Sequence, residues 1–199
     1  MNNNILKGTI AIGISAIMWG FDGVVLTPRL YNLDVGFVVF ILHLIPFLLM
    51  NLLMFKQYKF ISDFNRKDYL VFFSIALTGG ALGTLSIVKA LFLVNFQHLS
   101  VVVLLQKLQP IFAILLAAII LKEKLTRRFL FWGLLAIVAG YTLTFEFNWP
   151  TVSADKNTIL ASIYALIAAF CFGSSTVFSK MMLEKYNFKT VTFFRYGFT

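Results

Sequence analysis

The chain has 199 residues, of which 60% are hydrophobic and 13% are charged, and its mean hydropathy is +0.88. Soluble globular domains contain roughly 45–50% apolar and about 25% charged residues, so this composition excludes an ordinary soluble domain. The formal net charge of +9 comes from basic residues in short segments between apolar runs. Such segments favour contact with anionic lipid over nucleic-acid binding.

Six apolar runs occupy most of the chain, and each approaches the ~20 residues that an α-helix needs to cross a bilayer. They predict six membrane spans, numbered in chain order: Gly8–Leu26, Gly36–Phe55, Tyr69–Val94, Leu99–Leu121, Phe129–Phe145 and Ile159–Phe178. A seventh run begins near Val191, where a further span is expected to start. The run stops at Thr199, which predicts an incomplete protein.

Basic residues lie mainly in alternate gaps between these runs. Twelve of the seventeen Lys and Arg residues fall in gaps on one side, against Arg29 and Lys156 on the other. Short loops rich in Lys and Arg remain cytoplasmic. A cytoplasmic N-terminus in the inner membrane is therefore expected, with Lys56–Asp68 and Lys122–Arg128 on the same side.

An internal repeat is indicated at an offset of 153 residues. At this offset Ser15–Leu26 aligns with Ala168–Ser179, and the alignment continued to His43 gives six identities in 29 positions. Five spans separate the two copies, and an odd number inverts the second copy, as in many secondary transporters. The predicted fold is an all-α integral membrane helical bundle with an inverted five-plus-five repeat. The first repeat covers 1–146, and the incomplete second, 158–199, holds the sixth helix and the start of a seventh.

Ionisable side chains within apolar spans are energetically costly and are therefore candidates for function. Asp22, His43 and Lys107, in the first, second and fourth spans, share an estimated depth outward of the bilayer midplane. Lys89 lies nearer the outer surface, and Arg195 is in the seventh run. Two interpretations stand: Asp22 pairs with Lys107 or Lys89 and holds the bundle together, or these groups line a polar substrate cavity. The excess of cations in such a cavity favours an anionic or zwitterionic substrate.

The fourth span carries the strongest local pattern, a polar and small face opposite a leucine-rich face. The first face and its two flanking residues are Gln106, Pro110, Ala113, Ala117, Lys107 and Gln109. This pattern predicts that the helix borders either a cavity or a tight interface. Pro110 removes a backbone hydrogen bond and frees the carbonyl near Gln106, which suits a binding site, a hinge or a structural bend.

Two further features of the spans concern packing. Gly79 and Gly83 in the third span form a G-x-x-x-G pair, which predicts close approach of another helix. Trp19 lies near the middle of the first span, away from the interface where Trp residues collect, and provides either a stacking surface for substrate or plain packing.

Motifs for enzymatic or metal chemistry are missing from the sequence. His43 and His98 occur without an H-E-x-x-H or C-x-x-C motif or an intramembrane pair of carboxylates. Neither an enzyme nor a metal or cofactor site is expected.

Several segments resemble the EamA family of the drug/metabolite transporter superfamily. They are Ser15–Val25, Leu104–Thr126, Trp132–Leu143, Phe172–Lys180 and Phe193–Gly197. The resemblance implies ten helices in two inverted five-helix repeats and alternating-access movement of metabolites, often outward. Two positions depart from the family pattern, since His43 stands where Arg is common and Phe172 where Trp is common.

The expected function is secondary transport of a small amino-acid-like or other anionic or zwitterionic metabolite, with efflux included. The expected partners are this substrate, the lipid bilayer and a proton or counter-substrate for coupling, without nucleic acid; the oligomeric state is left open. The alternatives are a structural or regulatory membrane subunit that does not transport, and an inactive truncated fragment.

Overall fold

The computed structural model describes residues 3–22, 25, 27–96, 99–145 and 155–199, and the chain divides into two compact units, Met1–Asp34 and Val35–Thr199. The first unit contains α1 (Asn3–Phe21) and a 3-10 helix at Thr27–Leu30. The second contains α2 (Val35–Met54), α3 (Arg66–Ile75), α4 (Gly83–Leu93), α5 (Leu99–Gln106), α6 (Gln109–Ile120), α7 (Arg127–Phe145), α8 (Lys156–Leu183) and α9 (Phe188–Gly197). A 3-10 helix, Phe55–Asp63, follows α2, and a π-helical segment, Ala76–Leu82, joins α3 to α4.

Four helical stretches of the described residues are long and apolar enough to cross a membrane: Val35–Asp63, Arg66–Leu93, Leu99–Ile120 and Lys156–Leu183. They coincide with the predicted second, third, fourth and sixth spans. The first predicted span gives a shorter apolar helix, Ile5–Phe21, and the fifth corresponds to α7, whose side chains are described only in part. The prediction of an all-α, multi-pass membrane bundle is confirmed.

Two of these stretches, Arg66–Leu93 and Leu99–Ile120, depart from regular α-helix in their middle. Between α5 and α6 the helix breaks at Lys107 and Leu108, and Pro110 lies in the first turn of α6. This break follows from the proline, which has no N–H to donate and whose ring crowds the carbonyl of Gln106 four residues earlier. The π-helical segment inside the third span was not predicted.

Helix α8 runs through the middle of the second unit and packs against α3, α4, α5 and α6. Most of its buried residues are small, among them Ala161, Ala165, Ala168, Ala169 and Gly173. Small residues let helix backbones approach closely, which is how membrane helices gain packing contacts without a hydrophobic driving force between them.

Basic loops of the second unit that were expected on one side lie together at one end of the bundle. Lys185, just after α8, donates to the Asp68 carboxylate of α3, and the Tyr186 hydroxyl donates to the same carboxylate at 2.9 Å. The hydrogen bond with Asp68 raises the pKa of Lys185, because it favours the charged ammonium. We call Asp68, Lys185 and Tyr186 the Asp68 cluster. At the same end Lys180 forms an ion pair with Glu123 of the α6–α7 loop.

Candidate functional site

Aromatic packing fixes the position of α9 in the second unit. Phe193 and Phe194 are buried, and the ring of Phe194 lies 4.8 Å from that of Phe64 and 5.7 Å from that of Phe72. Tyr196 is two positions further on, about 200° around the helix from Phe194. Its ring therefore lies on a different face of α9, near α2.

A cavity of about 380 Å³ lies between α2, the π-helical segment, α4 and α9, and we call it the His43 cavity. Small-molecule sites typically measure ~300–1,000 Å³, so the volume suits a metabolite. The rings of Phe40, Phe47, His43 and Tyr196 provide its aromatic walls. The other lining residues are Gly36, Val39, Leu44, Ala81, Leu85, Gly197 and Thr199.

His43 is held in this cavity by its own helix. Nδ1 lies 2.8 Å from the carbonyl oxygen of Val39, one turn earlier in α2. A carbonyl oxygen only accepts hydrogen bonds, so Nδ1 carries the proton and donates it. The centroid of the imidazole lies 6.0 Å from that of the Tyr196 ring on α9. His43, a predicted site residue in the second span, thus lies near Tyr196 in the seventh apolar run.

The π-helical segment contributes Ala81 to the cavity wall and brings Gly79 against α8. A β-carbon on Gly79 would lie 2.7 Å from Cβ of Ser175 and 3.4 Å from Nη2 of Arg195, so the segment can pack this closely only with glycine there. The Thr84 hydroxyl donates to the Gly79 carbonyl at 3.2 Å. Single π-helical turns inside α-helices occur frequently at functional sites. Here Ala81 of the segment lines the cavity, and Gly79 of the same segment lies near the side chain of Arg195.

A second cavity, of about 430 Å³, lies between α5, α6 and α7, and we call it the Lys107 cavity. Lys107 and Pro110 line it, and its remaining lining is aliphatic or glycine: Leu104, Leu108, Ile111, Ile114, Leu115, Leu125, Leu130, Gly133, Leu134, Ala136 and Ile137. Much of this lining belongs to the leucine-rich face of the fourth span. Lys107 and Pro110 therefore lie away from His43.

The polar and small face of the fourth span packs in part against α8. A β-carbon on Gly173 would lie 2.9 Å from Cβ of Phe112, 3.0 Å from the amide nitrogen of Ala113 and 3.1 Å from the carbonyl oxygen of Gln109. Gln106 is only 8% exposed. The sequence predicted either a cavity or a tight interface for this face, and around Gly173 the structure has the tight interface.

The remaining predicted site residues lie elsewhere. The Lys89 ammonium is 5.1 Å from the ring centroid of Tyr164 in α8, a cation–π contact. Trp19 and Asp22 belong to the first unit, where Trp19 is 65% exposed and the Thr27 hydroxyl donates to Asp22 at 3.3 Å. Pairing of Asp22 with a lysine of the third or fourth span stays a prediction.

Sequence reasoning missed three of the aromatic residues that line the His43 cavity. Tyr196 lies in the segment Phe193–Gly197, which was quoted for the family resemblance, so a signal was present. Phe40 appears in the sequence only as an identity of the internal repeat, where it aligns with Phe193, and Phe47 gave no signal. A chain with 23 phenylalanines offers no way to single them out as site residues.

Comparison with known proteins gives a family and a relative. A family model described as "EamA-like transporter family" matches residues 6–145. "Riboflavin transporter ImpX" of Fusobacterium nucleatum subsp. nucleatum is 56% identical over 198 residues, which are 99% of this chain and 66% of that protein. The chain thus spans slightly less than two thirds of the length of this relative. No solved structure matches the chain.

Proposed function

This chain belongs to the EamA-like transporter family, and from that premise we propose that it moves riboflavin across a membrane by alternating access. The observation that carries the proposal is the 56% identity over 198 residues with the relative named as a riboflavin transporter. Both comparisons favour a carrier over an enzyme.

The His43 cavity supports this choice of substrate. Riboflavin joins a flat three-ring isoalloxazine to a chain of hydroxyl groups and carries no net charge at neutral pH. Aromatic side chains pack favourably on such rings, and Phe40, Phe47 and Tyr196 supply them. A neutral substrate takes the place of the anionic or zwitterionic metabolite that the intramembrane cations suggested. Lys89 and Lys107, on which that suggestion depended, do not line this cavity.

Counterflow measurements test the proposal. The protein produced from its intact gene should be reconstituted into proteoliposomes preloaded with unlabelled riboflavin. We expect saturable entry of labelled riboflavin, and an imposed pH gradient then tests coupling to a proton. Saturable exchange of glutamate without riboflavin exchange would contradict the proposal and favour the amino-acid-like substrate. Exchange of neither, with a stoichiometric partner that co-purifies, would favour the structural or regulatory subunit.

We also propose the arrangement of the protein in the membrane. The first inverted repeat covers 1–146 and the second begins at 158, with the N-terminus and the basic loops in the cytoplasm, at the inner membrane. The ion pairs of Lys185 with Asp68 and of Lys180 with Glu123 support a common side for these loops.

Single-cysteine labelling tests this orientation in a Cys171→Ser background. In right-side-out vesicles an impermeant maleimide should label a cysteine at Asp155 and leave one at Asn65 unlabelled until the vesicles are broken. Ready labelling at Asn65 with protection at Asp155 would reverse the orientation.

A further inference from the structure

The hydrogen bonding of His43 determines which kind of ligand atom the His43 cavity can bind. In the described part of the chain, the bond from Nδ1 to the Val39 carbonyl, at 2.8 Å, is the one hydrogen bond of this side chain. With its proton on Nδ1, the neutral imidazole has a lone pair on Nε2, so Nε2 is an acceptor. Nε2 is therefore the ring nitrogen that the α2 backbone does not engage.

Among the described residues, neither Tyr196 nor Thr199 donates a side-chain hydrogen bond to His43, which leaves this acceptor available. His43, Tyr196 and Thr199 are the lining residues with polar side chains, and Ala81 and Leu85 present only apolar surface from the π-helical segment and α4. The Thr199 hydroxyl donates to the Arg195 carbonyl at 2.8 Å. The cavity therefore combines aromatic walls with an acceptor nitrogen on His43.

Resting on the proposed function, we propose that Nε2 of His43 accepts a hydrogen bond from the imide N3–H of the isoalloxazine and selects flavins with a free imide. Oxidised riboflavin has a single ring N–H, and this donor must be paired when the ring leaves water. A cavity with an acceptor at this position discriminates against a flavin that lacks the donor, since the acceptor is then left unpaired. We expect a discrimination of about tenfold in dissociation constant.

Two polar substitutions at one position separate the two nitrogen atoms of His43. The amide oxygen of glutamine reaches the position of Nε2, whereas the shorter asparagine reaches only that of Nδ1. His43→Gln should therefore keep an acceptor toward the ligand, and His43→Asn should lose it. Leu52→Ala, on the exposed side of α2, is the control on the same helix, because Leu52 is 75% exposed.

Dissociation constants for riboflavin and 3-methylriboflavin should be measured by quenching of flavin fluorescence, on the detergent-purified protein from the intact gene. We expect wild type, Leu52→Ala and His43→Gln to bind riboflavin about tenfold more tightly than the methylated flavin. His43→Asn should bind the two equally. Thermal melting reports whether each variant folds, and if His43→Asn does not, the wild-type ratio decides the question.

Equal affinity of wild type for the two flavins would overturn the inference while leaving riboflavin transport intact. A preference that survives in folded His43→Asn would overturn it as well. If wild type binds neither flavin, the proposed substrate fails together with the inference, so the two failures are distinguishable.

Discussion

The two cavities of the second unit have similar volumes but different walls. The His43 cavity, about 380 Å³, has four aromatic rings in its lining, whereas the Lys107 cavity, about 430 Å³, is lined by aliphatic side chains around one lysine. The first lies between α2, α4 and α9, which the sequence assigns to both predicted repeats. The second lies between α5, α6 and α7, which it assigns to the first repeat alone. Carriers of the inverted-repeat type bind substrate between their repeats, so composition and position, rather than volume, distinguish the two.

The largest expected effect comes from filling each cavity in turn. Ala81→Phe adds a ring to the lining of the His43 cavity, and Ala136→Phe adds the same ring to the Lys107 cavity. Because the added ring occupies space that the substrate would fill, we expect a loss of roughly ten- to a hundredfold in riboflavin affinity for Ala81→Phe. Ala136→Phe should leave the affinity within about twofold. Fluorescence titration of both variants checks this, and the opposite ranking would assign the substrate to the Lys107 cavity.

Two glycines offer a matched comparison of the helical segments beside the two cavities. A β-carbon on Gly79 would lie 2.7 Å from Cβ of Ser175, whereas one on Gly133, in the lining of the Lys107 cavity, would meet nothing within 4 Å. We expect Gly79→Ala to lower the free energy of unfolding by ~1–3 kcal/mol and Gly133→Ala to leave it unchanged or slightly raised. Thermal melting in detergent measures both. Equal melting temperatures would show that the π-helical segment adjusts freely against α8.

Tyr196 tests the contribution of the aromatic wall. Tyr196→Ala removes the ring that faces His43 and should weaken riboflavin binding by about two- to tenfold, since aromatic pairs add ~0.5–1.5 kcal/mol beyond area burial. Tyr196→Phe keeps the ring and serves as the control. If both variants lose affinity equally, the hydroxyl rather than the ring makes the contact.

Lys107 should give the smallest effect on binding. Since Lys107 lines the aliphatic cavity, Lys107→Gln should change riboflavin affinity by less than about twofold and leave the fold intact. If Lys107 instead pairs with Asp22, either single substitution leaves the other charge unpaired, a loss of ~3–5 kcal/mol in soluble proteins. The double substitution Asp22→Asn/Lys107→Gln should then largely recover, and melting of all three variants measures this coupling. Loss of riboflavin binding in a stable Lys107→Gln variant would show that the Lys107 cavity also belongs to the binding site.

Much of the helical framework could be predicted because apolar length and proline chemistry act locally. The break before α6 follows from Pro110, whose missing N–H ends α5 wherever it lies in the fold. The G-x-x-x-G pair indicated close packing at Gly79, but no local pattern names Ser175, almost a hundred residues away, as its neighbour. The π-helical segment was equally hidden, because no local pattern in Ala76–Leu82 marks a π turn.

The candidate site was harder to predict, because it depends on contacts between distant helices. His43 was identified as an ionisable residue in an apolar span, a property of the sequence alone. Tyr196 became part of the site only through the packing of α9 beside α2. The small face of the fourth span was compatible with a cavity or an interface, and its contact with Gly173 of α8 decides between them near Ala113.

The Asp68 cluster has a kinetic consequence for a carrier that alternates. The side chain of Asp68 is only 8% exposed and is hydrogen-bonded to Lys185 and Tyr186. These two residues follow Asp68 by 117 and 118 positions in the chain. If the proposed alternating access separates α3 from the segment after α8, the Asp68 carboxylate must give up both partners, and closing requires all three groups to meet again. Conformational steps of this kind often set the pace of a catalytic cycle. Turnover number, rather than affinity for substrate, is therefore the quantity that this cluster would govern.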